Sequence, residues 1–229
     1  MEVSPSNPIE MAKSPTRSAA EFLPENLDYR SLVSSAAKCQ GCDIYINATQ
    51  TVFGEGDVSS GIMFVGEVPG DEEDLRGHPF VGPAGRLMEK AFAEVGIDRT
   101  KVYVTNAVKH FKWKPRGKRR IHEKPRISEI MACEPWLRAE IKLIEPRILV
   151  CLGSTAAQTL LGKDFRVTQM RGKWIDSPIA EKVMATIHPS AILRTPGELR
   201  EQAYQDFVAD LRLVAKAIDS VDTRSAAAS

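Results

Sequence analysis

Two kinds of segment alternate along this chain, short apolar runs and longer stretches in which apolar residues recur at helical spacing. The apolar runs predict four buried strands, within "GIMFVGE" (61–67), "KVYVTNAV" (101–108), "RILVCLG" (147–153) and "KVMATIH" (182–188). The periodic stretches predict helices over 82–97, 128–144 and 197–219, with another helix opening in "STAAQTLLG" (154–162). Apolar strands that alternate with amphipathic helices indicate a parallel sheet covered on both faces. We therefore predict a three-layer α/β/α fold around a mostly parallel, four-stranded sheet.

The two ends of the chain differ from this middle part. Residues 1–24 are rich in Ser, Pro and Ala, and the last residues are "SAAAS". Segments of such composition bury too little apolar surface to stay ordered. We expect one domain over 25–220, with disordered tails at 1–24 and 221–229.

Composition and charge limit the classes of function. The 229 residues are 43% hydrophobic and 27% charged, as in an ordinary soluble domain, and no apolar run approaches the roughly 18–20 residues that span a bilayer. The first residues lack the apolar core of a signal peptide, so we predict a cytoplasmic protein with no membrane partner, and we expect a monomer. A net charge of +1 excludes a uniformly basic nucleic-acid clamp, so any such surface must be local.

One stretch of the chain is locally basic. Residues 109–126 contain nine Lys or Arg and a single acid, Glu123. His122 ends the motif "KRRIH" (118–122) within this stretch. On residue type alone, this histidine fits a phosphate contact, a metal ligand, a general base or a nucleophile.

Polar residues follow all four predicted strands. Glu67, Asn106, Gly153 and His188 each lie at or just after a strand's carboxyl end. Ligands of parallel α/β sheets bind beyond these ends, so an acid, an amide and an imidazole are expected in one crevice. Loops are polar in any case, and the pattern alone does not choose between the two explanations.

Four cysteines in a reducing compartment favour metal ligands or core packing over disulfides. Cys39 and Cys42 form a CxxC pair, and Cys151 lies inside an apolar strand, where it is expected to pack as a small hydrophobe. Cys133, near the start of a predicted helix, and His110, directly after the second strand, are candidates to complete a site. Three thiolates and an imidazole suit structural zinc or an iron–sulfur cluster, and spacing leaves both open.

Four motifs together resemble the uracil-DNA glycosylase superfamily. These are "GEVPGDEEDLRGHPFVGPAGRLM", "VYVTNAVKHF", "KRRIH" and "HPSAILR", in the family's order and spacing, and the resemblance spans roughly residues 30–218. Three are similar to the iron–sulfur (family 4) branch, whereas "KRRIH" resembles the inserted loop of the UdgX class. The resemblance implies a glycosylase-like fold. It implies uracil-containing DNA, single-stranded or double-stranded, as the substrate. It also implies a structural [4Fe–4S] cluster held by Cys39, Cys42, His110 and Cys133. Val68 departs from the UdgX pattern, which has glutamine there, and puts fine tuning of the site in question.

The resemblance also implies roles for individual residues. Glu67 would lie beside the reacting carbon, His188 at O2 of uracil, and Asn106 at the O4/N3 edge, where its amide supplies the donor and the acceptor that this edge needs. Phe80 would stack on the base and Gly66 would line its pocket, although a phenylalanine in such a loop is otherwise expected in the core. The implied DNA contacts are Lys118, Arg119, Arg120, Ser190 and Arg194.

The resemblance gives His122 a specific chemistry. In most relatives water captures the sugar cation left when the glycosidic bond breaks, and here the imidazole could take that place and form a stable histidine–sugar bond in a single turnover. Only a neutral imidazole attacks, and the adjacent cations Lys118, Arg119 and Arg120 are expected to disfavour the imidazolium. Glu67 would accept the proton or stabilise the sugar cation. Two rival functions are an ordinary iron–sulfur glycosylase that leaves an abasic site, and a metal-stapled binding module without chemistry. His78 is expected to be a surface or packing residue.

Overall fold

The computed structural model describes residues 17–227, with side chains described up to residue 220. Its main sheet has six strands in the order β1-β3-β2-β6-β8-β7. These strands are β1 (Glu55–Gly56), β2 (Ile62–Gly66), β3 (Tyr103–Asn106), β6 (Ile148–Leu152), β7 (Trp174–Ile175) and β8 (Lys182–Thr186). The four inner strands are parallel and are the four that the apolar runs predict.

The mostly parallel α/β architecture is therefore confirmed, but the prediction of four strands is wrong. The two additional strands, β1 and β7, pair antiparallel at opposite edges of the sheet. Each has only two residues and is exposed or half-buried, so neither shows a hydrophobic period that sequence could reveal.

Helices cover both faces of this sheet. The helices are α1 (Tyr29–Ala36), α2 (Asp71–Arg76), α3 (Pro83–Val95), α4 (Ile127–Ile144), α5 (Gly153–Leu161), α6 (Val167–Met170), α7 (Pro189–Arg194) and α8 (Gly197–Ala227). Phe64 of β2 belongs to a core with α3 and α8, whereas its neighbours Met63 and Val65 face a second core with α4 and α5. This alternation follows from the period of two in a strand. In the described part of the chain, no helix is long and apolar enough to cross a membrane.

Short 3-10 helices lie at Ala19–Phe22, Asp43–Ile46 and Arg99–Lys101. The first belongs to the predicted N-terminal tail, yet buried Ala19 packs in a third hydrophobic cluster together with Trp136 of α4. At the other end α8 continues to Ala227, past the predicted end at 219. The remaining tail residues, 1–16 and 228–229, lie outside the described residues.

Pro135 lies inside α4 and does not break it. The helix begins at Ile127, so Cys133 lies well within it rather than near its start. Proline removes one backbone hydrogen bond, which normally destabilises a helix. Trp136 and Leu137, both fully buried, hold this helix through tertiary packing that outweighs the local preference.

The basic motif forms part of a separate two-stranded sheet. β4 (Trp113–Arg116) and β5 (Arg119–His122) are antiparallel and pair Trp113 with His122. Gly117 supplies the left-handed conformation at the turn. His122 therefore ends a β-hairpin, which fixes its direction better than an irregular loop would.

Candidate active site

A cavity of about 430 Å³ lies beyond the carboxyl ends of the inner strands. Seven of the eleven residues predicted for catalysis, base binding and DNA binding meet there. Its lining includes Glu67, Phe80, Asn106, His122, His188, Ser190 and Arg194. The cavity is large enough for a flat ring with a few polar contacts.

Gly66 lies at the point where the side chains of Asn106, Phe80 and His188 come close to one another. A Cβ atom at this position would lie 2.3 Å from Oδ1 of Asn106 and 2.7 Å from Cζ of Phe80. Both distances are shorter than van der Waals contact allows, so a side chain here would displace one or both groups. Phe80 stacks on His188 with 6.3 Å between ring centroids and 27° between planes.

The backbone of Phe80 is held in an unusual conformation. Its φ is +58°, in the left-handed region that costs about 1–3 kcal/mol for such a residue. Gly85, in the first turn of α3, allows the close approach, because a Cβ there would overlap the Phe80 carbonyl oxygen. The strain is consistent with a ring that is placed for function rather than for packing alone.

Asn106 ends β3 and is 4% exposed. The backbone carbonyl oxygen of Asn106 accepts a 2.6 Å hydrogen bond from Nζ of Lys109. The same Nζ also pairs with Glu140 at 2.5 Å. Both charged side chains are completely buried, and Glu140 accepts further bonds from Tyr103 and Thr105. This network fixes the strand end. Sequence reasoning counted Lys109 as one of the surface cations and missed it.

His188 is neutral and presents a donor to the cavity. Its Nδ1 accepts from the backbone N–H of Ser190 at 3.1 Å, and the Ser190 hydroxyl lies 2.8 Å from the same atom. The ring proton therefore sits on Nε2, the nitrogen that faces Gly66. Burial lowers the pKa of His188 to about 4, and the positive charge of Arg194 acts in the same direction.

Glu67 is held by a hydrogen bond from α5. The Thr155 hydroxyl, on α5, donates a 2.7 Å hydrogen bond to Oε1 of Glu67. Thr155 is 5% exposed. Sequence reasoning missed this residue, because a threonine in the first turn of a helix carries no signal for a carboxylate partner 88 residues away in the sequence.

His122 lies at the mouth of the cavity, with its ring 6.2 Å from that of Phe111. Much of its surface is accessible, yet enough protein surrounds the imidazole that desolvation lowers its pKa below the ordinary 6.5. The Glu67 carboxylate opposes this shift and Arg194 adds to it. The sequence led us to expect that Lys118, Arg119 and Arg120 would lower the pKa of His122. The cation that lowers it in the structure is Arg194 instead.

Arg120 is turned towards the protein instead of towards solvent. Its guanidinium pairs with Asp71 at 2.5 Å and with Asp74 at 2.6 Å, both on α2, and it lies over the rings of Phe111 and Trp113. Lys118 and Arg119 on the same hairpin are exposed. Arg120 therefore joins the hairpin to α2, a role that differs from the expected phosphate contact.

Three of the four cysteines share one hydrophobic cluster. Cys39, Cys42 and Cys133 pack there with Trp136, whereas Cys151 is buried in a different core, as predicted. The indole N–H of Trp136 points at Sγ of Cys39 over 3.2 Å, and the backbone N–H of Lys109 points at Sγ of Cys133 over 3.3 Å. Donors aimed at sulfur are what metal-bound thiolates require.

His110 can act as the fourth donor of this group. The Thr51 hydroxyl donates to the Ala36 carbonyl at 2.8 Å and therefore accepts from Nε2–H of His110 at 2.9 Å. This leaves the lone pair on Nδ1, and burial keeps the ring neutral by lowering its pKa to about 4. Among the described residues, no three His, Cys, Asp or Glu side chains are close enough to share a single metal ion.

Comparison with known proteins gives consistent matches. Residues 53–212 match the model of the Uracil DNA glycosylase superfamily. The chain is 42% identical over 171 residues to a type-4 uracil-DNA glycosylase of Thermotoga maritima, covering 74% of this chain and 85% of that protein. It is 36% identical over 190 residues to a type-4 uracil-DNA glycosylase of Archaeoglobus fulgidus, covering 80% and 90%. Similarity to a type-5 uracil-DNA glycosylase of Pyrobaculum aerophilum is lower, at 29% over 161 residues.

Proposed function

Because the chain belongs to the uracil-DNA glycosylase superfamily and is closely related to its type-4 members, we propose that it excises uracil from DNA and captures the sugar on His122. The excision follows from the family. The capture is carried by one observation, the position of a neutral imidazole at the mouth of the cavity that contains Glu67, Asn106 and His188.

Excision begins with a uracil that is flipped out of the stack into the cavity. The ring lies against Phe80, and the Asn106 amide pairs with the O4/N3 edge. Nε2–H of His188 donates to O2, where negative charge grows as the glycosidic bond breaks. The electron pair of that bond leaves with uracil, and the sugar becomes a cation that the Glu67 carboxylate stabilises.

Capture completes the reaction. The unprotonated ring nitrogen of His122 attacks C1′, and the new C–N bond makes the ring an imidazolium. The other ring nitrogen then releases its proton to Glu67 or to solvent, so that charge balances. An alkylated imidazole is a poor leaving group, and the product is a stable protein–DNA adduct.

The donor set described above fits a [4Fe–4S] cluster held by Cys39, Cys42, His110 and Cys133. Such a cluster would supply a cross-link between the CxxC segment, the residues that follow β3, and α4. Nδ1 of His110 would be its nitrogen ligand, because Thr51 occupies Nε2. No step of the excision uses it.

DNA contacts divide between the hairpin and α7. Lys118 and Arg119 are exposed at the hairpin tip and fit phosphate contacts, as do Ser190 and Arg194 at the edge of the cavity. Arg120 instead keeps the hairpin in place, which serves capture indirectly.

A denaturing gel with a uracil-containing single-stranded oligonucleotide tests the proposal. We expect a heat-stable shifted band with the natural protein. His122→Ser should abolish that band and leave alkali-sensitive abasic sites, since serine is a weaker nucleophile without an adjacent base and admits water. Abasic sites without a shifted band from the natural protein would establish ordinary turnover. The absence of both products would indicate a binding module.

A further inference from the structure

We propose that Thr155 is a positioning residue for excision, which orients the Glu67 carboxylate towards the sugar. This inference rests on the proposed function of Glu67 and adds a residue from outside the four motifs. It is supported by the 2.7 Å hydrogen bond from the Thr155 hydroxyl to Oε1 of Glu67, made between two elements that are far apart in sequence.

The fold brings these two residues together through adjacent strands. Glu67 directly follows β2 and Thr155 lies in the first turn of α5, which follows β6, and β2 pairs with β6 in parallel. The start of α5 is set by Gly153, whose φ is +85° and whose hypothetical Cβ would lie 2.9 Å from Cβ of His188. The position of the Thr155 hydroxyl is therefore fixed by the same turn that packs against His188.

The hydrogen bond gives the two carboxylate oxygens different tasks. Oε1 is occupied by Thr155, so Oε2 is the oxygen available to the sugar cation and to His122. A free glutamate side chain has several accessible rotamers, and holding one of them before the reaction removes an entropic cost from the transition state. The bond is also made to a charged group and is thus stronger than an ordinary one.

Substitutions at position 155 separate the effect of the hydroxyl group on uracil release from the effect of the side chain's shape. Thr155→Val keeps the shape of the side chain and removes the donor, whereas Thr155→Ser keeps the donor. In single-turnover assays with saturating protein, Thr155→Val should slow uracil release by about 10- to 100-fold, the range for one hydrogen bond to a charged group, and leave the Kd for DNA within about twofold. Thr155→Ser should restore the rate to within about threefold of the natural protein.

Thr159→Val is the matched control on the same helix. The Thr159 hydroxyl donates to the Thr155 carbonyl, and among the described hydrogen bonds it makes none to Glu67. Thr159→Val should therefore leave uracil release unchanged. If Thr155→Val does not fold, as judged by thermal melting, the pair Thr155→Ser and Thr155→Ala replaces it, because both lose the methyl group and only one keeps the hydroxyl.

A double-mutant cycle separates positioning from a general structural effect. In a Glu67→Ala background, Thr155→Val should slow uracil release by less than about twofold, since no carboxylate remains to be oriented. An equal loss in both backgrounds, or a Thr155→Val protein as fast as the natural one, would overturn the inference. Failure of the natural protein to release uracil would instead refute the proposed function, and because free uracil is the readout, the result does not depend on whether His122 or water captures the sugar.

Discussion

Replacing Arg120 by alanine should separate capture from excision. The guanidinium makes charged hydrogen bonds to Asp71 and to the fully buried Asp74, and it lies over the rings of Phe111, which precedes the hairpin, and Trp113. The bond to buried Asp74 contributes about 1.5–3 kcal/mol, the more exposed Asp71 adds at most about 1 kcal/mol, and a cation–π contact about 0.5–1 kcal/mol. Losing about 3 kcal/mol would shift the docking equilibrium of the hairpin by a factor of roughly 150.

The expected result is a change in the ratio of products. Glu67, Asn106 and His188 come from the main sheet and its following turns, so Arg120→Ala should slow uracil release by less than about fivefold. His122 comes from the hairpin, so the share of excised sites that become adduct should fall, by up to about 100-fold. The assay is a single-turnover reaction in which free uracil is measured by chromatography and adduct by a denaturing gel, from the same samples.

Arg119→Ala is the control for the loss of a positive charge. Arg119 is exposed on the same strand, and its replacement should weaken DNA binding with the slope of log K against log salt reduced by about one, while the share of adduct stays unchanged. If Arg120→Ala leaves the share of adduct unchanged, or if Arg119→Ala lowers it equally, Arg120 does not hold the hairpin and the reasoning is refuted.

Three further predictions use the same assays. Because burial lowers the pKa of His122 below 6.5, its nucleophilic form dominates at neutral pH, so the share of adduct should fall to half of its plateau only below pH 6.5; a half-maximal share at or above pH 6.5 would contradict the lowered pKa. Asn106→Ala should slow uracil release, because each hydrogen bond lost to the base raises the barrier by about 1–3 kcal/mol. Thymine-containing DNA should not react with the natural protein, and chromatography of the released base would show both results. The purified protein should be brown, with absorption near roughly 400 nm. Cys133→Ser should lose this colour and unfold at lower temperature, whereas Cys151→Ala should keep the colour; a colourless natural protein containing zinc would exclude the cluster.

The inner sheet was predictable because its strands are mostly apolar and almost completely buried. β2 and β6 are buried along their whole length, so their sequences carry an unmistakable run of hydrophobic residues. The edge strands β1 and β7 have two residues each and no such run. These two strands form because each pairs with a neighbouring strand, β1 with β3 and β7 with β8. The hydrophobic pattern within one short segment carries no information about such a partner.

The strand ends predicted that an acid, an amide and an imidazole share one crevice, and the structure places Glu67, Asn106 and His188 around one cavity. Their individual roles come from the family resemblance and stay predictions. Thr155 and Lys109 were missed because their roles depend on partners distant in sequence, Glu67 and Glu140. A lysine in a basic stretch resembles a surface cation, whereas the fold buries Lys109 completely.

The basic hairpin shows why charge alone is a poor guide to what a cation contacts. Arg119 and Arg120 are adjacent and chemically identical, yet alternate side chains of a strand point to opposite sides, so one faces solvent and the other faces α2. The acids that receive Arg120 are the first and fourth residues of α2, Asp71 and Asp74, in the motif that also contains Glu67. Thus the segment that supplies the acid of the cavity also supplies the attachment of the hairpin that carries His122. Changes in α2 should therefore alter capture without touching the sugar, whereas changes at Glu67 should slow excision and adduct formation together.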